Sequence, residues 1–193
     1  MMKKLLTMLL ALAMVLSLAA CGGESDSKSG TKQTNTQKPS KDLQVKEMTI
    51  EASGLEDLTK VEIGAPKNFT IEEKDWCIVY TDAKQDVEVE AYLCADYDCY
   101  TYNQEASKEE CEGYGEQKFG DFDGYYYIDG SGYYVEVYVY LGCVAEMDDV
   151  YLSFTIGALE GSSEDPMALF KLKDVQTILS SATFTPAQEP AEG

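Results

Sequence analysis

The chain has 193 residues, with 35 acidic side chains against 15 basic ones and a formal net charge of −20 at pH 7. It contains no histidine, and all of its basic residues are lysines. This balance argues against nucleic-acid binding, which depends on cationic contacts to phosphate. The absence of histidine also removes the commonest general base and the commonest zinc ligand, so we expect no enzymatic activity, no metal and no cofactor. Partners are expected to be neutral or cationic, although acidity alone also serves solubility.

The first twenty residues have the pattern of an export signal. Two lysines precede an apolar run over residues 5–18, which is too short to span a membrane comfortably. The run ends in Leu-Ala-Ala-Cys, which resembles a bacterial lipobox. The resemblance implies that Cys21 becomes the first mature residue and carries a diacylglycerol and palmitate, anchoring the protein to the extracytoplasmic side of the cell membrane. The alternative is an ordinary cleaved signal followed by an unrelated cysteine.

The segment after the signal is polar. Residues 22–46 have almost no apolar side chains and cannot bury enough surface to offset the entropy of ordering. We therefore predict a lipidated, disordered linker over residues 21–46. Residues 47–186 have the length of one domain, and residues 187–193 are expected to form a flexible tail.

Apolar and polar residues alternate with period two in several segments, which predicts half-buried β-strands. In residues 87–94, Val, Ala and Leu alternate with Glu, Tyr and Cys. Residues 133–141 and 150–156 alternate in the same way. Shorter strands are predicted over residues 60–63 and 76–80.

Cysteines are odd in number once Cys21 is assigned to the anchor. The remaining ones are Cys77, Cys94, Cys99, Cys111 and Cys143. Disulfides form outside the cell, and Cys94 and Cys99 lie close together near a strand end, so we predict a disulfide between them. The alternative is that all five stay reduced. A zinc site or a cysteine nucleophile is disfavoured because no histidine is present.

Half of the fourteen tyrosines lie in residues 125–141, around the turn Asp-Gly-Ser-Gly. With a two-residue loop at Gly130 and Ser131, Ile128 pairs with Tyr133. Directly opposed residues share a face, so most tyrosines gather on one face of an antiparallel sheet. We predict that this face is a ligand or partner surface, and ordinary packing beneath helices or loops is the alternative. The predicted surface contains Tyr92, Tyr125, Tyr127, Tyr134, Glu136, Tyr138, Tyr140 and Tyr151.

Helix signals are fewer. Ser107 and Glu110 have the spacing of a capping box, which predicts a short helix starting there. Asp165 is suited to cap a helix that has Pro166 at its first position. The apolar stripe that follows over residues 168–179 predicts a helix, with a break near Lys173 that would divide it into two.

Two other kinds of site are alternatives to the tyrosine surface. Carboxylates near turns suit calcium, but the complete calcium-loop spacing is absent and turn formation explains the same residues, which are Asp96, Asp98, Asp121, Asp123 and Asp129. A cell-wall glycoside hydrolase would need a carboxylate pair from Glu88, Glu90 and Glu136. In so acidic a chain such pairs arise by chance.

The segments "APKNFTIEEKDWCIVY" and "FKLKDVQTILSSATF", with alternating strands between them, resemble the PsbP-like fold of small bacterial lipoproteins. The resemblance implies an α+β sandwich with a central antiparallel sheet and helices packed against it. A cystatin-like α+β domain is the alternative. By resemblance, such domains mostly bind or assist assemblies rather than catalyse.

Together these features predict a membrane-anchored, extracytoplasmic lipoprotein that acts as a non-enzymatic binding or accessory module. The expected partner is a neutral or cationic protein, peptide or saccharide. The alternative is a receptor for a small soluble ligand, such as a saccharide, a cationic peptide or calcium.

Overall fold

The computed structural model describes residues 42–51, 58–96, 99–144, 148–159 and 165–186. These residues form two antiparallel sheets and three helices. The elements follow in the order β1 (Leu43–Glu51), β2 (Leu58–Pro66), β3 (Thr70–Glu73), β4 (Ile78–Asp82), β5 (Val87–Asp96), α1 (Cys99–Glu110), β6 (Gly115–Phe119), β7 (Phe122–Ile128), β8 (Val135–Val144), β9 (Asp148–Ala158), α2 (Pro166–Phe170), α3 (Lys173–Leu179) and β10 (Thr183–Thr185).

The larger sheet has seven strands in the order β3-β4-β5-β9-β8-β7-β6, and the smaller has three in the order β1-β2-β10. Strands β5, β8 and β9 are the alternating segments of the sequence, so one face of the large sheet is aliphatic. This inner face packs against β2, α2 and α3, and the core between them includes Val61, Val89, Phe154, Val175 and Ile178. The other face of the large sheet, called the outer face below, carries α1 and a cluster of tyrosines. Tyr80 and Tyr126 lie on the inner face instead.

The mixed α+β class is confirmed. The C-terminal helices also match the prediction: the Asp165 carboxylate accepts from the Met167 amide, Pro166 follows it, and the helical stripe breaks between Phe170 and Lys173. The PsbP-like assignment and its cystatin-like alternative stay predictions.

The β7–β8 hairpin has the predicted strands with a different register. Ile128 pairs with Val135 rather than with Tyr133, because the Asp129 carboxylate accepts from the amides of Ser131, Tyr133 and Tyr134 and holds a longer loop. The shift is two residues, so each side chain keeps its predicted face. Tyr133 is the exception, since it lies in the loop and is 68% exposed.

Other local predictions were wrong. Ser107 does not begin a helix but lies near the end of α1, whose last residue is Glu110. Trp76 is outside β4 and exposed. Strand β1 begins at Leu43, so the last four residues of the predicted linker belong to the small sheet. The local composition of these four residues does not indicate that they pair with β2.

Candidate functional site

The outer face of the large sheet carries a cluster of tyrosines beneath helix α1. Strands β7, β8 and β9 supply most of them, and the helix supplies one from above. We call this set the tyrosine cluster; it consists of Tyr100, Tyr114, Tyr125, Tyr127, Tyr138, Tyr140 and Tyr151.

Helix α1 covers the middle of this cluster. The Tyr100 ring lies 5.3 Å from that of Tyr125 in an edge-on arrangement and 5.1 Å from that of Tyr140. Tyr125 stacks on Tyr138 at 4.9 Å with the two rings nearly parallel. Such ring pairs add about 0.5–1.5 kcal/mol each beyond burial. The cluster is therefore a second, aromatic core between sheet and helix.

The predicted partner surface must be corrected at two positions. Tyr125 is fully buried and Tyr151 is 5% exposed, so neither is available to a partner while α1 is in place. Tyr127, Tyr138 and Tyr140 are half-buried and contribute mainly packing. The alternative interpretation, ordinary packing beneath a helix, accounts for this part of the face.

Burial raises the pKa of two phenols of the cluster, those of Tyr114 and Tyr140. It raises the pKa of Tyr114 to about 12, with a further contribution from the hydrogen bond to Glu116. It likewise raises the pKa of Tyr140 to about 12, helped by the bond that its hydroxyl donates to Asp149 at 3.0 Å. At neutral pH these groups are hydrogen-bond donors rather than acids or bases.

A strip of the outer face beside α1 stays open, and we call it the acidic strip; it consists of Glu88, Glu90, Tyr92, Tyr134, Glu136 and Thr155. Thr155 lies at its centre, opposite Glu90 on one side and Glu136 on the other. The Thr155 hydroxyl donates to both carboxylate oxygens of Glu136, at 3.1 and 3.2 Å. The Tyr92 hydroxyl donates to Glu90 at 2.5 Å.

Two tyrosines flank the strip. Tyr134 is 43% exposed, and its ring lies against Gly157, where an added Cβ would be 2.5 Å from the ring carbon Cδ1. A side chain at position 157 would therefore displace this ring. Tyr92 is half-buried at the other side of the strip. Three predicted site residues, Tyr92, Tyr134 and Glu136, are thus brought together on the open part of the sheet.

Glu136 is held in an environment that opposes its charge. Burial raises the pKa of this carboxyl above its ordinary value of 4.5, the Thr155 hydrogen bond partly offsets this, and Asp129 and Glu90 raise it further. The Lys74 ammonium lies 3.9 Å from Glu90. The strip therefore carries the carboxylates of Glu88, Glu90 and Glu136 within one surface.

We expect Glu136→Gln to increase the free energy of unfolding at pH 7. The folded-state pKa lies above the unfolded one, so the ionised carboxylate destabilises the fold at pH values above both, and this penalty disappears as the pH falls to the ordinary value. Urea denaturation at pH 7 and near pH 4 measures the effect, which should be smaller at the lower pH. Glu47→Gln, on the exposed side of β1, serves as control; an unchanged or lowered stability of the Glu136 variant at pH 7 would contradict the expectation.

A separate cleft of about 410 Å³ lies where α1 meets β6 and β7. We call it the α1–β6 cleft, and its lining residues are Tyr100, Gln104, Glu116, Gln117, Lys118, Asp123, Gly124 and Tyr140. Lys118 pairs with Asp123 at 2.8 Å, and Lys108 pairs with Glu116 at 3.2 Å from outside the cleft.

Most residues of this cleft are not predicted by the sequence patterns above, although one signal is present. Tyr100, Gln104 and Ser107 are spaced four and three residues apart, which places them on one face of a helix. The capping-box prediction of a helix start at Ser107 is inconsistent with that pattern. Tyr140 belongs to the predicted tyrosine surface, and Asp123 to the calcium alternative.

Other sequence predictions remain untested. Within the described residues, no three His, Cys, Asp or Glu side chains converge in a way that could hold a metal ion. The side chain of Cys99, both Asp98 and Cys21, and the signal and linker up to residue 41 lie outside the described residues. The Cys94–Cys99 disulfide, the calcium alternative and the lipid anchor therefore stay predictions. In the described part of the chain, no helix has both the length and the apolar character needed to cross a membrane.

No protein-family model and no curated protein matches the chain. Solved structures with partial similarity include a protein from Bacteroides thetaiotaomicron VPI-5482, with a TM-score of 0.41 and 11% identity over 68% of this chain and 46% of that one. The chain thus spans about half the length of that protein. Another is LpqN, involved in cell envelope biogenesis of Mycobacterium tuberculosis, with a TM-score of 0.43 and 16% identity over 74% of this chain and 92% of that one. Similarities this low identify neither a family nor a function.

Proposed function

We propose that this chain is a lipid-anchored, extracytoplasmic binding module without enzymatic activity, and that it captures a cationic segment of a protein or peptide on the acidic strip. The observation that carries the proposal is the open strip itself, in which Glu90 and Glu136 lie between Tyr92 and Tyr134. The lipobox at Cys21 supports the location.

The electrostatics of the strip favour a cation over a neutral partner. Glu136 is partly desolvated and influenced by two like charges, Glu90 and Asp129. A lysine or arginine side chain placed over Thr155 would lie between Glu90 and Glu136 and relieve that repulsion. Since the whole chain carries a net charge of −20, long-range attraction would also speed the approach of such a partner.

The tyrosines suit the same ligand. The ring of Tyr134 is exposed and held against Gly157 before any partner arrives, so little side-chain entropy would be lost on binding. A cation over a tyrosine ring gains about 0.5–1 kcal/mol at an exposed site. Aliphatic stems of lysine or arginine would pack against the same rings. The strip thus offers both charge and apolar contact to one kind of side chain.

The proposal predicts a charge-specific and site-specific interaction. A fluorescent peptide of alternating lysine and alanine is the probe, and its dissociation constant is measured by anisotropy. The double variant Glu90→Gln and Glu136→Gln is expected to bind roughly tenfold more weakly, a loss of about 1.4 kcal/mol. Both substitutions keep an acceptor for Tyr92 and Thr155, so the fold should survive.

The matched control is the double variant Glu47→Gln and Glu62→Gln. It also removes two negative charges, but from the small sheet. We expect this pair to change affinity by less than about twofold, because it leaves the strip intact. Equal weakening by both double variants would mean that the peptide responds only to net charge, and the strip would lose its assigned role.

A further inference from the structure

The α1–β6 cleft differs from the acidic strip in charge, shape and chemistry. We infer that the α1–β6 cleft is a binding site for a small neutral saccharide, separate from the strip. Its volume of about 410 Å³ falls within the range of roughly 300–1,000 Å³ that is usual for ligand sites.

Local charge balance is the first argument. Both carboxylates that line the cleft are paired, Asp123 with Lys118 at 2.8 Å and Glu116 with Lys108 at 3.2 Å. This balance is notable on a chain whose net charge is −20. A cleft whose charges are already compensated gives no advantage to a cation or an anion, and so favours an uncharged ligand.

The mixture of hydrogen-bonding groups is the second argument. Gln104 offers an amide donor and acceptor, Lys118 offers donors, and Glu116 and Asp123 offer acceptors. The Gln117 amide does not take part, because it donates to Gln176 of α3 at 3.3 Å. The Tyr100 phenol lines the same cleft as both carboxylates. A sugar hydroxyl both donates and accepts, so a ligand with many hydroxyls matches donors and acceptors set side by side.

Aromatic support is the third argument. Tyr100 and Tyr140 line the cleft with their rings 5.1 Å apart, and contacts with Tyr125 and Tyr151 hold Tyr100 from behind. The cleft therefore has a rigid aromatic edge, of which the half-buried Tyr140 is the more accessible part because Tyr100 is 8% exposed. The C–H face of a pyranose ring can pack on this edge while its hydroxyls reach the polar rim.

Titration calorimetry with two uncharged probes, chitotetraose and maltotetraose, tests the inference. Spermine serves as a cationic comparison. We expect at least one tetrasaccharide to bind, and Gln104→Ala and Lys118→Ala each to weaken it by about fivefold or more. The control Lys60→Ala removes a lysine that pairs with Glu47 in the small sheet, and it should leave saccharide affinity unchanged.

The Glu90→Gln and Glu136→Gln double variant separates this site from the proposed function. It should bind the tetrasaccharide as tightly as the natural chain, whatever its effect on cationic peptides. The inference is overturned if both tetrasaccharides bind with a dissociation constant weaker than about 10 mM, which corresponds to about −2.7 kcal/mol. It is also overturned if the Lys60→Ala control weakens binding as much as the cleft variants do, or if spermine displaces the sugar.

Discussion

Replacing Tyr125 by alanine is expected to lower the free energy of unfolding by about 3–5 kcal/mol. The side chain is fully buried and its ring contacts those of Tyr100, Tyr114 and Tyr138. The alanine variant would leave a cavity between α1 and the large sheet and remove several ring pairs at once. Urea denaturation followed by circular dichroism measures the loss, and the α1 residues are expected to become less protected from hydrogen exchange.

Tyr125→Phe is the matched control for that change. The Tyr125 hydroxyl is buried and has no hydrogen-bond partner among the described residues. Removing it should change stability by no more than about 1 kcal/mol, and in the stabilising direction. If alanine cost less than about 1 kcal/mol, or phenylalanine as much as alanine, the tyrosine cluster would not be the element that joins α1 to the sheet.

The second large effect concerns the membrane anchor. Cys21→Ser is expected to abolish incorporation of labelled palmitate, because serine offers no thiol for the thioether that the lipobox resemblance implies. Intact mass spectrometry should show loss of the acylated mature form. A lipid with several chains gives durable attachment, so the natural chain should remain with the membrane through repeated washing.

Cys111→Ser controls for general effects of removing a thiol. It lies just after α1, and its substitution should leave both the label and the mass of the lipid unchanged. Undiminished labelling of the Cys21 variant would exclude the lipobox interpretation, and with it the location given to the binding module.

Much of the large sheet was predictable because its strands follow local rules. Alternation in residues 87–94 and 150–156 placed Val89 and Phe154 on the core face, where they are fully buried. The face of the sheet on which each tyrosine of the β7–β8 strands lies was also predictable. A register error of two residues does not change which face a side chain occupies. Asp165 and Pro166 gave the start of α2 for a similarly local reason.

The rest depended on partners distant in sequence. Nothing near Tyr125 indicates that a helix will cover it, because the covering residue, Tyr100, lies on an otherwise polar segment. The acidic strip likewise forms only when β5, β8 and β9 become neighbours and align Glu90, Thr155 and Glu136. The composition of the chain suggests a cationic partner. Only the strand topology shows that one part of the outer face packs beneath α1 and that another part, the acidic strip, stays open.

The small sheet has a consequence for biogenesis. Its middle strand β2 pairs with β1 on one side and with β10 on the other, and the Thr183 hydroxyl reaches Glu62 across 121 residues of sequence. This sheet cannot be completed until residues 183–185 have been synthesised. Closing so long a loop is slow relative to local pairing, so β2 is expected to keep an unpaired edge during synthesis. That interval is when the chain would most need a holding chaperone, and it would end only with the arrival of its last strand.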